Sequence, residues 1–212
     1  MISLALGLAL LVTGASSAPC SGTSPSHGHL QWSESAKIVA PDRAWQVEVH
    51  PVLTSEENQT PVTLHSCRKA GSWPLFTLKR SAEIYWSPDS RNLLVVNKPF
   101  SGSSRLLFFS VKALSDGKRA GASDLLDRTV KQAVLQRLGE KRHIEFYLPQ
   151  FVSWAKGNIV LAVGGATYSG GNGPMSPYCY GIVVNGGTLR VEDTLTAGEL
   201  KAKFGAECRV SP

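Results

Sequence analysis

The sequence predicts a mainly β fold built from antiparallel meander units, with one inserted amphipathic helix. Three observations carry this expectation. Short runs of β-branched and aromatic residues recur along most of the chain, separated by Pro, Gly, Asn and Asp. A Pro-Asp turn leading into an apolar run occurs twice. One stretch, 123–139, changes from period two to a spacing of four.

The chain opens with MISLALGLALLVTGASSA, which has no charged side chain, runs apolar from Ile2 to Val12 and ends in small residues. Residues 1–18 therefore read as a secretory signal peptide. A cut after Ala18 would place Pro19 beside the scissile bond, so cleavage between Ala15 and Ser17 is an equal alternative. The apolar run is shorter than the ~20 residues of a spanning helix, and no later stretch approaches that length. The expected product is secreted or periplasmic and has no transmembrane segment once the signal is removed. Cys20 is preceded by Ser17, Ala18 and Pro19, which do not form a lipidation signal. Residues 19–29, PCSGTSPSHGH, lack apolar periodicity and read as a flexible arm. A single β-rich domain is expected over 30–212, a length that can bury one proper core.

The predicted strands follow in order. WQVEVHPV (45–52), TPVTLHS (60–66), LFTLK (75–79), AEIYWS (82–87), NLLVVN (92–97) and RLLFFSV (105–111) precede the helix. HIEFYL (143–148), NIVLAVGG (158–165), YGIVVN (180–185) and TLRVED (188–193) follow it. Asn185-Gly186-Gly187 marks a hairpin between the last two. LLVV, apolar at successive positions, is the pattern of an inner strand packed between two layers. In the helix, Leu126, Val130, Val134 and Leu138 form a stripe that Leu125 and Leu135 widen, with Ser123 or Asp124 at its start and Gly139 at its end. Such a stripe covers a sheet face or edge. A second helix is expected over TAGELKAKF, 196–204.

Four cysteines, Cys20, Cys67, Cys179 and Cys208, allow three complete pairings and contain no Cys-x-x-Cys. In an oxidising compartment Cys179 with Cys208 would tie the C-terminal segment to the sheet. That leaves Cys20 and Cys67 as a second pair, or as free thiols on a loose arm. The net charge of +6 favours anionic surfaces, but the cations are scattered (Arg68, Lys69, Lys79, Arg80, Lys118, Arg119, Lys141, Arg142), as on a solvated surface. No specific nucleic-acid partner is expected.

IVAPDRAWQVEV (38–49) and YWSPDSRNLLVV (85–96) place Pro-Asp pairs 47 residues apart, near the ~40–45 residues of a four-stranded propeller blade. SWAKGNIVLAV (153–163) is a fainter third copy without Pro-Asp. Proline presets the turn and aspartate accepts from the amides that follow, so Asp42 and Asp89 read as turn-formers. Residues 83–111, through Trp86, Ser87, Pro88, Asp89, Arg91, Leu93 and Val95, resemble the WD40-like Pro-Asp repeat of TolB and of prolyl-oligopeptidase-type propellers. Ser90 stands where that repeat has glycine. The resemblance implies a binding scaffold built from blade-like units and supplies no catalytic residue. Two or three copies are fewer than the roughly four blades needed for closure, so the expectation is a small or incomplete propeller, or a β-sandwich.

No Gly-x-Ser-x-Gly elbow, His-Glu-x-x-His, Walker loop or EF-hand series occurs, and no cofactor is expected. Alternation in HIEFYL puts His143, Glu145 and Tyr147 on one face, a set able to perform acid-base work. GGATYSGGNGPMSPY (164–178) reads as a long exposed loop able to bind through Tyr168, Asn172 and Tyr178. Trp73, between Gly71 and Pro74, reads as the most exposed tryptophan, and Trp86 and Trp154 as core. His27 and His29 are too few to hold a metal ion. The expected function is an exported binding or accessory protein that recognises a protein or an anionic envelope component through loops on a β scaffold. The alternatives are a small secreted hydrolase or carbohydrate-active enzyme using His143, Glu145 and Tyr147, and a structural envelope component held by its basic surface.

Overall fold

The computed structural model describes residues 20–21, 27–51, 59–117, 123–139, 142–169 and 174–209. The expected signal peptide and Asn172 lie outside the described residues. The strands are β1 (His27–Gln31), β2 (Ala36–Val39), β3 (Trp45–Val49), β4 (Thr60–Ser66), β5 (Ser72–Leu78), β6 (Ser81–Trp86), β7 (Asn92–Phe100) and β8 (Ser103–Ser110). Two helices follow, α1 (Val111–Ser115) and α2 (Ser123–Leu138). Then come β9 (Arg142–Ala155), β10 (Asn158–Ser169), β11 (Met175–Asn185), β12 (Val191–Thr196) and α3 (Ala197–Phe204).

The fold is mainly β, made of antiparallel meanders with an inserted helix. One sheet runs β2-β3-β4-β5 and the other β1-β6-β7-β8-β9-β10-β11-β12. The larger sheet is continuous only through one parallel bridge between β8 and β9, Ser103 with Tyr147. It is better understood as two four-stranded units, β1-β6-β7-β8 and β9-β10-β11-β12, whose strand ladders join at that point alone while their side chains share a core.

The two Pro-Asp turns have matching geometry. At the first, Arg43 N–H donates to the Ala40 carbonyl (2.9 Å) and Ala40 N–H to the Trp45 carbonyl (2.8 Å). At the second, Ser90 N–H donates to Ser87 (2.9 Å) and Ser87 N–H to Asn92 (2.9 Å). Arg43 and Ser90 both adopt positive φ, 55° and 59°. Each aspartate carboxylate accepts from the amide two residues on, Ala44 at 2.9 Å and Arg91 at 3.1 Å. The turns also meet, since Asp42 N–H donates to the Ser90 hydroxyl (3.0 Å). Asp42 and Asp89 are thus spent on turn geometry.

Strand β7 is apolar on both faces because both faces are covered. Leu93 and Val95, with Leu107 and Phe109 of β8, join Trp86 and the inner faces of β3 and β4 in one core. Leu94 and Val96, with Leu106 and Phe108, join Leu126, Val130 and Val134 of α2 and residues of β10 and β11 in a second. Each such fully buried side chain contributes about 2 kcal/mol through removal from water. Helix α2 enters where β8 and β9 part. Its buried Asp127 accepts the Leu106 N–H (2.9 Å) and pairs with Lys131 (2.9 Å), so a side chain replaces the missing strand partner at that edge. The buried stripe is narrower than expected, because Leu125 and Leu135 are each 41% exposed.

A third core covers the other face of β10 with Leu200 and Phe204 of α3 and with the C-terminal segment, which Cys208 ties to Cys179. Helix α3 starts at a capping box, Thr196 with Glu199, and stops at Gly205 in the left-handed conformation (φ 64°). The expected arm is anchored at both ends: Cys20 is bonded to Cys67 and His27–Gln31 is a strand paired with β6. The expected strand at 188–193 starts later, at Val191, because Asn185 through Leu189 form the turn, with the Asn185 side chain accepting from Gly187 and Thr188. Among the described residues, no helix is long and apolar enough to cross a membrane.

The predicted loop 164–178 is mostly strand, with β10 and β11 paired through Tyr168 and Met175. Gly164 and Gly165 serve close approach: a Cβ at Gly164 would lie 2.0 Å from the Arg209 carbonyl oxygen, and one at Gly165 1.9 Å from that of Phe146. Gly164→Ala is therefore expected to destabilise the protein by about 1–3 kcal/mol. Gly198→Ala, in the first turn of α3 where a Cβ meets nothing within 4 Å, is expected to be neutral or to stabilise by up to about 1 kcal/mol. Urea denaturation of the two variants beside the parent measures both.

Candidate functional site

The structure does not bring the sequence-predicted catalytic set together. In the β9–β10 register Ile144 faces Thr167 and Phe146 faces Ala166, which leaves Glu145 as an extra, bulged residue. A bulge of one residue reverses the alternation. Ile144 and Tyr147 consequently share the second core, while His143 and Glu145 are exposed. The Tyr147 hydroxyl is buried without a hydrogen-bond partner, and the Lys131 ammonium lies 4.7 Å from its ring centre. Burial, and then the Asp127 charge, push the Tyr147 pKa well up, so it stays a neutral phenol. A second bulge at Val152 places Phe151 and Trp154 in the same core.

The predicted binding residues also separate. Tyr178 is buried, with its hydroxyl donating to the Phe146 carbonyl (2.9 Å). Tyr168 is half-buried near the end of β10. Trp73 is half-buried against Trp45, their ring centres 5.6 Å apart, whereas Trp32, at 37%, is an exposed tryptophan.

A cationic cleft is what the fold assembles instead. It has a volume of about 230 Å³ and lies where the β7–β8 turn, the middle of β9 and the C-terminal tail meet. Arg80, Lys98 and Arg209 line it together with Phe100, Ser104 and Gln150, and its lining holds no carboxylate. Phe100 stands at the rim 63% exposed, under the Lys79 ammonium. The Gln150 amide nitrogen is buried without a hydrogen-bond partner. Arg209 reaches the cleft because Cys208 is bonded to Cys179 and the tail lies on Gly164.

Beside the cleft, Lys98 donates to one oxygen of Glu83 and the Tyr85 hydroxyl to the other, at 2.7 Å for the tyrosine. Burial acts to raise the Glu83 carboxyl, but the hydrogen bonds from Lys98 and Tyr85 and the charges of Lys98 and Arg209 outweigh it, holding it below its ordinary value. Tyr85 is driven up by burial and then by Glu83. Its ring begins an aromatic row, with Phe151 at 4.4 Å, Trp154 a further 5.6 Å on, and His27 stacked at 6.3 Å on the other side. Alternation in AEIYWS sets Glu83 and Tyr85 on the face opposite Ile84 and Trp86, a sequence signal from which the pair could have been found.

A second polar cluster lies on the outer face of the four-stranded sheet. Glu48 is held by Lys37 (3.0 Å), His50 (3.1 Å) and His65 (3.3 Å). Burial raises its pKa, but hydrogen bonds from Lys37 and His50 and the charges of His65 and Lys37 bring it below the usual range. Among the described residues, no group of three His, Cys, Asp or Glu is arranged to hold a metal ion.

The chain matches no protein-family model, no curated protein and no solved structure.

Because the folded-state pKa of Glu83 is depressed, its contribution to stability is complete above the ordinary carboxylate value of 4.5 and is lost as pH falls through the lower folded value. Glu83→Gln is expected to flatten the decline of unfolding free energy on acidification from about pH 5 to about pH 3. Denaturant titrations at each pH, parent against variant, read this directly.

Proposed function

We propose that this is an exported binding protein that holds an anionic component of the cell envelope or its surroundings in the cleft lined by Arg80, Lys98 and Arg209. The observation that carries the reading is the convergence of Arg80, Arg209 and one unpartnered amide nitrogen, with Lys98 held there by Glu83 behind the wall, on a hollow whose lining has an excess of positive charge. Charges of one sign in a partly enclosed space raise the local concentration of counter-charged ligands. The rim comes from Phe100, Ser101 and Gly102 of the β7–β8 turn, in keeping with recognition through loops on a β scaffold. The Pro-Asp units supply that scaffold in this reading, as in the repeat they resemble. Export is supported by the leader-like residues 1–18 and by two disulfides, which persist in oxidising compartments. The enzymatic alternative has no shared face from which His143, Glu145 and Tyr147 could act.

Titrating the mature protein with inorganic phosphate at low ionic strength, followed by amide NMR, tests the reading. Saturable shifts are expected at Lys98, Gln150 and Arg209, with binding weakening steeply as salt is added. The double variant Arg80→Ala, Arg209→Ala is expected to bind at least about tenfold more weakly, a loss on the order of 1.4 kcal/mol. Shifts that do not saturate, or equal binding by the double variant, would overturn the assignment.

A further inference from the structure

We infer that a second hollow, between β3, β5 and the end of α1, is a saccharide-binding subsite. This does not rest on the anionic cleft, which lies elsewhere on the molecule and shares no lining residue with it. The hollow measures about 410 Å³, within the ~300–1,000 Å³ range of small-ligand sites. Its walls are the indoles of Trp45 and Trp73, and its rim carries Asp42, Ser66, Lys69 and Asp116.

The geometry of the indoles selects the ligand's shape. Their planes meet at 55° with centres 5.6 Å apart, so they form a corner and not a parallel slot. A pyranose is puckered, with C–H groups on its faces and hydroxyls around its edge, and can rest one apolar face on an indole while its edge reaches the rim.

The charges select the ligand's chemistry. Lys69 supplies a cation, Asp116 supplies a carboxylate and Asp42 the one carboxylate oxygen its turn bond to Ala44 leaves over, and neither the Asp116 carboxylate nor the Lys69 ammonium has an ion-pair partner among the described residues. Two carboxylates disfavour a dianion, and Lys69 with Arg68 disfavours a simple cation. Hydroxyls donate and accept at once, so a neutral polyol satisfies acceptors and donors on the same rim.

The walls are held in place before any ligand arrives. Cys67 follows β4 and is bonded to Cys20, its N–H donates to the Ala44 carbonyl (2.9 Å), and Ser66 N–H donates to Gly71 (3.1 Å). The Trp73 ring lies over Gly71, where a Cβ would come within 2.4 Å of it. Asp42 is fixed by its contacts with Ala44 and Ser90. Preorganisation of this kind reduces the ordering cost of binding.

The test is titration of the intrinsic fluorescence of the full mature chain with maltose, cellobiose and N,N′-diacetylchitobiose, beside retention on amylose, cellulose and chitin. A saturable change with a disaccharide identifies a short glycan as the ligand, and retention on a polymer alone identifies an internal stretch of chain. In either case Trp73→Ala and Asp116→Ala are expected to weaken binding at least about tenfold, and Trp32→Ala, which alters an exposed tryptophan outside the hollow, to leave it unchanged. Should Trp73→Ala fail to fold, Asp116→Ala decides, since it changes an exposed residue at the end of α1. No saturable change and no retention with any of the six carbohydrates, or binding unaltered in Asp116→Ala, would overturn the inference.

Discussion

The two-sided burial of β7 is the constraint on which the molecule depends. Alternate side chains of Leu93-Leu94-Val95-Val96 enter two different cores, so the four-stranded sheet on one side and the α2 and β9–β12 unit on the other are packed against the same strand. The Pro-Asp turn sets where this strand begins. Its partner turn fixes β2 and β3 in the opposing sheet, and the bond from Asp42 to Ser90 ties the two starts together. A polar residue at any of the four positions would be desolvated without a partner, whichever face it took.

Chemistry gathers where regular pairing stops. After one bridge, β8 and β9 separate, α2 fills the gap with Asp127 in place of a strand, and β9 follows a course with two bulges. Those bulges turn Phe151 and Trp154 toward Tyr85 and leave Gln150 facing the cleft. The polar pair Glu83 and Tyr85 is therefore set between two meanders. A continuous eight-stranded ladder would have left no such space.

Much of the architecture was legible because each run of β-branched and aromatic residues is bounded by turn chemistry, and because α2 alone repeats its apolar residues at a spacing of four. The double burial of LLVV was legible for the same reason, that local pattern and tertiary demand agree, and Cys179 with Cys208 was the expected pair, while Cys20 and Cys67 stood open between a bond and free thiols until the fold brought them together. The bulges at Glu145 and Val152 were not, since one extra residue in a strand leaves no compositional mark and yet moves every later side chain to the other face. Gly164 and Gly165 misled because glycine serves loops and close backbone approach alike. β1 was hidden in His-Gly-His, where Gly28 lets Ile38 sit against the backbone. The cleft was invisible because Arg80, Lys98 and Arg209 belong to distant parts of the chain and meet only through the fold.

The positions of the two disulfides divide the chain mechanically. A pull applied at residues 20 and 208 passes across the Cys20–Cys67 and Cys179–Cys208 bonds, so the covalent path leaves out β1 to β4 and β12 with α3. Along the covalent chain, tension runs only through 67–179, the segment holding β7 and α2, while Leu30, Val47 and Leu64 of the first core and Ile182 and Val184 of the second lie in the bypassed parts. The extremities, elsewhere the first parts of a fold to peel away, are here covalently bypassed, and force reaches the doubly buried strand before it reaches either end.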